Sequence, residues 1–303
     1  MSGRELVVLG TASQAPTRYR NHNGYLLRWD GFGVLFDPGE GTQRQMVLAG
    51  VPSSAIDRIC ITHFHGDHCL GLPGVLARMS LDQLDRTVPV FFPAEDREVF
   101  DHLTNASIGR RTVTVEARPS DEGPLVTEPP LRLRARRLDH GVTTLGYRLE
   151  EPAGRTMLRE RLDAAGVHGP EVGRLQRDGS ITTPAGTVRL EDVSVPRPGQ
   201  VVAFVMDTRL CDAAVELAGN ADLLVCEATF LSGDQDLARD YGHMTAAQAA
   251  WLAREAGARR LVLTHFSQRY ADNARHAAEA AEIFPDVVAV NDLDVVPVPA
   301  RAG

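Results

Sequence analysis

Short apolar runs alternate with stretches of helical periodicity along most of the chain. Leu6–Leu9, Gly33–Phe36, Arg58–Thr62, Val88–Phe92, Gln200–Val205, Leu223–Glu227 and Arg260–Thr264 read as strands, several of them apolar nearly end to end. Such continuity predicts strands covered on both faces. Thr42–Ala49, Gly71–Met79, Cys211–Ala218, Thr245–Glu255 and Asp272–Phe284 carry helical spacing. Thr245 with Gln248 three residues on is a capping-box start, and Gly257 sits where a helix stop belongs. Strand–helix alternation predicts an α/β fold in layers.

Two stretches break this rhythm. Between Arg111 and Leu149 the pattern is strand after strand. There Arg132, Arg134 and Arg136 alternate with Leu131, Leu133 and Ala135, one cationic face against one apolar face. That cationic face is either solvated or a track for phosphates. Glu151–Pro198 is dense in glycine and proline and predicts little core, with helical character only over Met157–Ala165. An insertion of that length in a compact α/β chain is expected to be functional or mobile.

At 303 residues and 43% hydrophobic content, the chain can bury a sizeable core. No apolar run approaches the roughly 20 residues of a membrane span, and Met1–Gly10 does not read as a signal peptide. The four cysteines, Cys60, Cys69, Cys211 and Cys226, are sparse and mostly sit in apolar runs, which favours reduced thiols and the cytoplasm. The formal charge of −8 argues against indiscriminate binding of nucleic acid. All 32 cationic residues are arginine, and net charge leaves a local basic face open.

The densest chemistry is His63-Phe64-His65-Gly66-Asp67-His68, directly after an apolar strand. Burying so many titratable groups without a cation would cost several kcal/mol, so the cluster predicts metal ligands. Imidazole with carboxylate favours Zn²⁺, with Mn²⁺ or Fe²⁺ as alternatives. A tight turn can aim His63 and His65 at one ion and Asp67 and His68 at a second. Further candidates stand at strand ends: His140, Asp207 and His265. Asp207 is the candidate bridge between two cations. Ile59–Phe64 also echoes Leu261–Phe266, each an apolar strand ending in Thr-His-Phe, which suggests two similar halves meeting at one site. Cys69 reads as a packed thiol.

The set His63-x-His65-x-Asp67-His68 with His140, Asp207 and His265 resembles the metallo-β-lactamase superfamily. That resemblance implies a single αββα sandwich over 1–303, two metals and hydrolysis. Other segments narrow it: Gly71-Leu72-Pro73-Gly74, Asp207-Thr208-Arg209, Glu227-Ala228-Thr229-Phe230, Tyr241-x-His243-x-Thr245, Thr264-His265-x-Ser267-x-Arg269-Tyr270, and the loop Pro16–Asn21. In this order they are similar to the short-form ribonuclease Z family of tRNA 3′-processing endonucleases.

The resemblance implies a zinc-dependent hydrolysis of precursor tRNA that leaves a 3′-hydroxyl on the tRNA and a 5′-phosphate on the trailer. It also implies a homodimer and a flexible tRNA-binding arm at about 155–180. His63, His65 and His140 go to one Zn²⁺, and Asp67, His68 and His265 to the other, with Asp207 bridging. Asp67 also accepts a proton from the attacking water, and His243, oriented by Glu227, protonates the leaving oxygen. Arg18, Arg20 and Asn21 are expected at the RNA 3′ end. Arg155, Arg159, Arg174 and Arg177 are expected on the arm, where five arginines face four carboxylates over 155–180. The chain departs from the family pattern at Cys226 (usually His), Met244 (usually Ser) and Arg18 (usually Lys). A small-molecule phosphodiesterase or lactonase of the same fold is the alternative. It would need neither arm nor cationic loop. A non-catalytic metal or RNA-binding module is the remaining class, and it would tolerate loss of ligands.

Overall fold

The computed structural model describes residues 3–301 apart from 110 and 185. Of the single domain expected over 1–303, residues 1, 2, 110, 185, 302 and 303 lie outside the described residues. The first sheet is built from β1 (Glu5–Gly10), β2 (Gly24–Trp29), β3 (Phe32–Phe36), β4 (Arg58–Cys60), β5 (Thr87–Pro93) and β6 (Thr114–Ser120). The second takes β7 (Gly123–Val126), β8 (Arg132–Leu138) and β9 (Thr144–Glu150). The chain then leaves through β10 (Gly154–Met157), β11 (Ser180–Thr183), β12 (Gly186–Arg189) and β13 (Ser194–Arg197). It returns as β14 (Val201–Val205), β15 (Leu223–Glu227), β16 (Leu261–Thr264) and β17 (Val287–Ala289), and β18 (Val295–Pro297) closes the first sheet.

The two sheets have orders β18-β1-β2-β3-β4-β5-β6 and β17-β16-β15-β14-β9-β8-β7. Each is antiparallel on one side and parallel over four strands on the other: β3 to β6, and β14 to β17. The inner faces share one apolar core, with Phe36 stacked on Phe204 at 4.4 Å between ring centroids. Burying one such ring contributes about 1.5–3 kcal/mol. Outside the first sheet lie α1 (Thr42–Leu48), α3 (Leu72–Leu81) and α4 (Arg97–Thr104). The one-turn α2 (Gly66–Cys69) precedes α3. Outside the second lie α7 (Asp212–Ala218), α9 (Ala246–Glu255) and α10 (Ala274–Ala281), with α8 (Gln235–Tyr241) leading into α9. The layering is the expected αββα. The capping box at Thr245 and Gln248 is present. Among the described residues no helix is long and apolar enough to cross a membrane.

The two sheets repeat one plan, as the Thr-His-Phe echo suggests, and meet at one site. The echo itself falls on strands of different rank: counted from the antiparallel side, β4 is second in its parallel run and β16 is third. The strands of equal rank are β3 and β14, followed by Asp37 and Asp207, both left-handed at φ 44° and 36°.

The Gly/Pro-rich span was expected to contribute little core and one helix. It instead folds as a unit from Gly154 to Arg197. Strand β10 pairs with β13 at its root, and α5 (Arg159–Ala164), α6 (Pro170–Asp178) and the β11–β12 hairpin complete it. Leu162, Val167, Leu175 and Val193 bury one another as a separate small core. The four lie too far apart in sequence, and too singly, to register as a pattern. At the root, Glu151 accepts from Arg4 (2.9 Å) and Arg197 (2.8 Å). Burial raises its pKa, but the two arginines hold it well below the usual carboxylate range.

Candidate metal centre and cleft

Six of the seven proposed ligands follow the carboxyl ends of parallel strands, and the seventh, His140, follows β8 on the antiparallel side of the second sheet. After β4, Thr62 binds the Asp37 carboxylate through its backbone N–H (2.7 Å) and hydroxyl (2.8 Å), which fixes the turn into the histidine run. Helix α2 then presents Asp67 and His68 on one turn. This packing needs glycine: a Cβ on Gly39 would stand 2.1 Å from the Asp67 carbonyl oxygen, and one on Gly71 1.9 Å from that of Gly39. Asp207 and His265 follow β14 and β16, each at positive φ, 36° and 60°. Strained backbone at both is consistent with positions held for function.

The donor atoms fall into two groups. In the first, His63 Nε2 lies 3.0 Å from His65 Nδ1, His140 Nε2 lies 3.4 Å from the same nitrogen, and Asp207 Oδ2 lies 3.6 Å from His63 Nε2 and 3.8 Å from His140 Nε2. In the second, His68 Nε2 lies 3.3 Å from Asp67 Oδ2 and 3.4 Å from Asp207 Oδ1, and His265 Nε2 lies 3.5 Å and 3.1 Å from the same two oxygens. Asp207 thus turns one oxygen to each group.

Outer partners fix the imidazole orientations. His68 Nδ1 donates to Asp37 (2.9 Å), His140 Nδ1 to the Gly242 carbonyl (2.8 Å), His63 Nδ1 to Thr62 (3.0 Å) and His265 Nδ1 to Thr229 (2.8 Å). In all four the Nε2 lone pair is left for the centre, the tautomer that ligates a cation. Gly242, at φ +77°, must be glycine here, since a Cβ would meet His140 Nδ1 at 2.8 Å.

The residues present fit divalent cations. Asp207 Oδ1 and His265 Nε2 are buried without a hydrogen-bond partner among the described residues. Burial raises the Asp207 pKa, yet His265 and His68 hold it well below the usual range. Burial lowers that of His68, yet Asp207, Asp67 and Asp37 draw it well above. The surplus of buried carboxylate is what a cation neutralises. Cys69 is a buried thiol pushed up to about 12 by burial.

Beside the ligands, Glu227 has no exposed surface. It accepts from His243 Nδ1 (3.0 Å), Thr208 N (2.8 Å) and Thr229 Oγ1 (2.6 Å). One carboxylate therefore orients His243 directly and the ligand His265 through Thr229. Burial lowers the His243 pKa, but Glu227 and then Asp207 outweigh it and push it up to about 9. His243 lines a cleft of about 550 Å³ with His65, Asp67, His140 and Asp207, and the cleft also takes in Gln14, Phe230, Tyr241 and Arg269.

The loop residues are not all placed as expected. Arg20, expected at the RNA 3′ end, is only 8% exposed and donates to the Ser267 and Tyr270 carbonyls, at 3.4 and 3.1 Å. Its charge ties the loop to the chain after His265. Asn21 donates to the His22 and Glu40 carbonyls. Arg18 is exposed, its guanidinium 5.7 Å from the Tyr19 ring, outside the residues lining the cleft. Of the arginines expected on an RNA-binding arm, Arg155 is half-buried and bonds Ser194 (2.7 Å), while Arg159, Arg174 and Arg177 are exposed. Asp37, Thr62 and Thr229 were missed. The signal for Asp37 was Phe36-Asp37-Pro38-Gly39, an acid at the end of an apolar strand.

Two family models match parts of the chain, "Anti-Pycsar protein Apyc1" over residues 4–110 and "Beta-lactamase superfamily domain" over residues 165–266. The chain is 56% identical over 304 residues to Ribonuclease Z of Nocardia farcinica, covering 99% of this chain and 100% of that one. It is 46% identical over 294 residues to Ribonuclease Z of Chlamydia muridarum, covering 97% of each. Its structure is similar to that of human tRNase Z, short form, with a TM-score of 0.70 at 26% identity over 98% of this chain and 100% of the other. The fold is also that of the metallo-beta-lactamase fold protein YhfI from Bacillus subtilis, with a TM-score of 0.70 at 21% identity. With more than half its positions shared along nearly its whole length, the chain belongs to the ribonuclease Z family of enzymes.

Proposed function

We propose that the chain is a zinc-dependent endoribonuclease. It removes the 3′ trailer of precursor tRNA and leaves a 3′-hydroxyl on the tRNA and a 5′-phosphate on the trailer. The observation that carries this reading is Asp207, which offers one carboxylate oxygen to each of two donor groups while His243 stands beside them. His63, His65 and His140 would hold one Zn²⁺, and Asp67, His68 and His265 the other, with Asp207 shared. Bound cations supply a nucleophile at neutral pH and offset charge on the phosphoryl oxygens.

The protein's own groups do the rest. The Asp67 carboxylate, held by the Gln14 N–H (2.8 Å), accepts the proton of the attacking water. His243, kept protonated by Glu227, gives a proton to the departing 3′-oxygen. The unit Gly154–Arg197 serves as the tRNA-gripping arm, with Arg159, Arg174 and Arg177 on its exposed surface. Arg18 reaches the RNA from the loop. The chain acts as a homodimer, and the exposed Val47, Leu48 and Leu81 on the outer helices are apolar positions open to a second copy. Four free cysteines suit the cytoplasm.

The deciding experiment incubates the zinc-loaded chain with a precursor tRNA bearing a 3′ trailer and maps both product ends. One cut at the trailer junction, with the stated ends, supports the reading. Intact precursor beside rapid hydrolysis of a small phosphodiester or lactone would replace it with the small-molecule reading.

A further inference from the structure

Tyr241 is 63% exposed although it lines the cleft. Its ring is held nearly parallel to that of Phe230, at 13° with centroids 6.5 Å apart, and Phe230 is 5% exposed. The Phe230 ring lies 6.1 Å from the His243 ring and 5.6 Å from the Arg269 guanidinium. Neither core packing nor cation chemistry explains a large aromatic face left in water at a polar cleft. Nor is it loose: α8 ends on Tyr241, and Gly242 is locked by its bond from His140.

We propose that the Tyr241 ring, aligned by Phe230, stacks on the base of the nucleotide whose 3′-oxygen leaves. The proposal rests on the tRNA-processing reading above and adds a residue that binds the substrate. Tyr241 stands two residues from His243, which delivers its proton to that oxygen, and a base lies one ribose away from its own 3′-oxygen. Stacking suits this position because every base has a π-face. The contact grips the end of any tRNA without reading its identity. Arg269 stands against the buried Phe230 ring and pairs with Asp234 at 3.5 Å, so it does not take up the exposed face of Tyr241.

The test uses the full zinc-loaded chain and two precursor tRNAs, one intact and one abasic at the nucleotide 5′ to the cut. Stacking by one aromatic ring predicts that Tyr241→Ala lowers kcat/KM on the intact substrate by about 10- to 100-fold. On the abasic substrate, which the parent already cuts slowly, the same variant is expected to cost no more than about 2-fold. Tyr241→Phe should recover most of the loss. Tyr241→Leu, apolar but not planar, should not. Equal loss on both substrates, or equal rescue by Leu and Phe, overturns stacking. A parent that cuts the intact precursor while Tyr241→Ala matches it overturns the proposal and leaves the tRNA-processing reading standing. A parent that cuts neither precursor overturns both.

Discussion

Glu227 Oε1 stands 3.0 Å from His243 Nδ1, with the carboxylate fully buried and the imidazole open to the cleft only on its other side. The pair sets the protonation of His243, whose pKa lies up at about 9 once Glu227 and Asp207 outweigh burial. Glu227→Gln keeps the shape and removes the charge. The His243 pKa should then fall toward the ordinary histidine range. A general acid is lost as pH rises through its pKa, so the alkaline limb of kcat should move to lower pH. A pH–rate profile that stays in place would show that His243 is not the acid.

His243→Ala should lower kcat on precursor tRNA by about 10²–10⁴-fold, the usual worth of a positioned general acid. Metal content, read by elemental analysis, should stay at the parental level, because the seven proposed ligands are untouched. A phosphodiester with a good leaving group needs the proton less and should lose less.

Asp207→Ala should release both cations, since each donor group loses an oxygen it shares. On the two-zinc reading proposed above, the metal content read by elemental analysis should fall toward none, and activity by roughly 10³-fold or more, the several kcal/mol of charge stabilisation that bound metals supply. Two ions retained at parental affinity would remove Asp207 as the bridge.

Residues 155–196 can be replaced by a short Gly-Ser turn, because Gly154 and Arg197 are paired across β10 and β13. A cut ending at Asp178 would instead strand Val193 and the β11–β12 hairpin without their partners. The full replacement should keep the circular-dichroism melt of the two-sheet core and the rate on an aryl phosphodiester. The rate on precursor tRNA should fall by orders of magnitude. Parallel retention of both rates would show that the unit does not grip RNA.

The sheets and the clustering of the candidate ligands were legible because they depend on local patterns: apolar runs for strands covered on both faces, and four potential ligands within six residues. What stayed hidden depends on contacts distant in sequence. Asp37 acts on His68 across 31 positions, and Thr229 on His265 across 36. Nothing near either residue announces the partner. Arg20 misled for the opposite reason. A cationic loop suggests a polyanion, but the Ser267 and Tyr270 carbonyls that claim this arginine lie about 250 residues away. The glycines and prolines of 154–197 marked turns, yet they said nothing of the four apolar side chains between them.

That small cluster has a thermodynamic consequence. Leu162, Val167, Leu175 and Val193 bury one another and not the inter-sheet residues. The unit Gly154–Arg197 can therefore open as its own foldon while the strands bearing the histidines stay closed. Amide protons of α5 and α6 should exchange in sub-global openings, well below the free energy that protects β4, β14 and β16. With the unit as the tRNA grip proposed above, warming or mild denaturant would abolish cleavage of precursor tRNA before hydrolysis of a small phosphodiester.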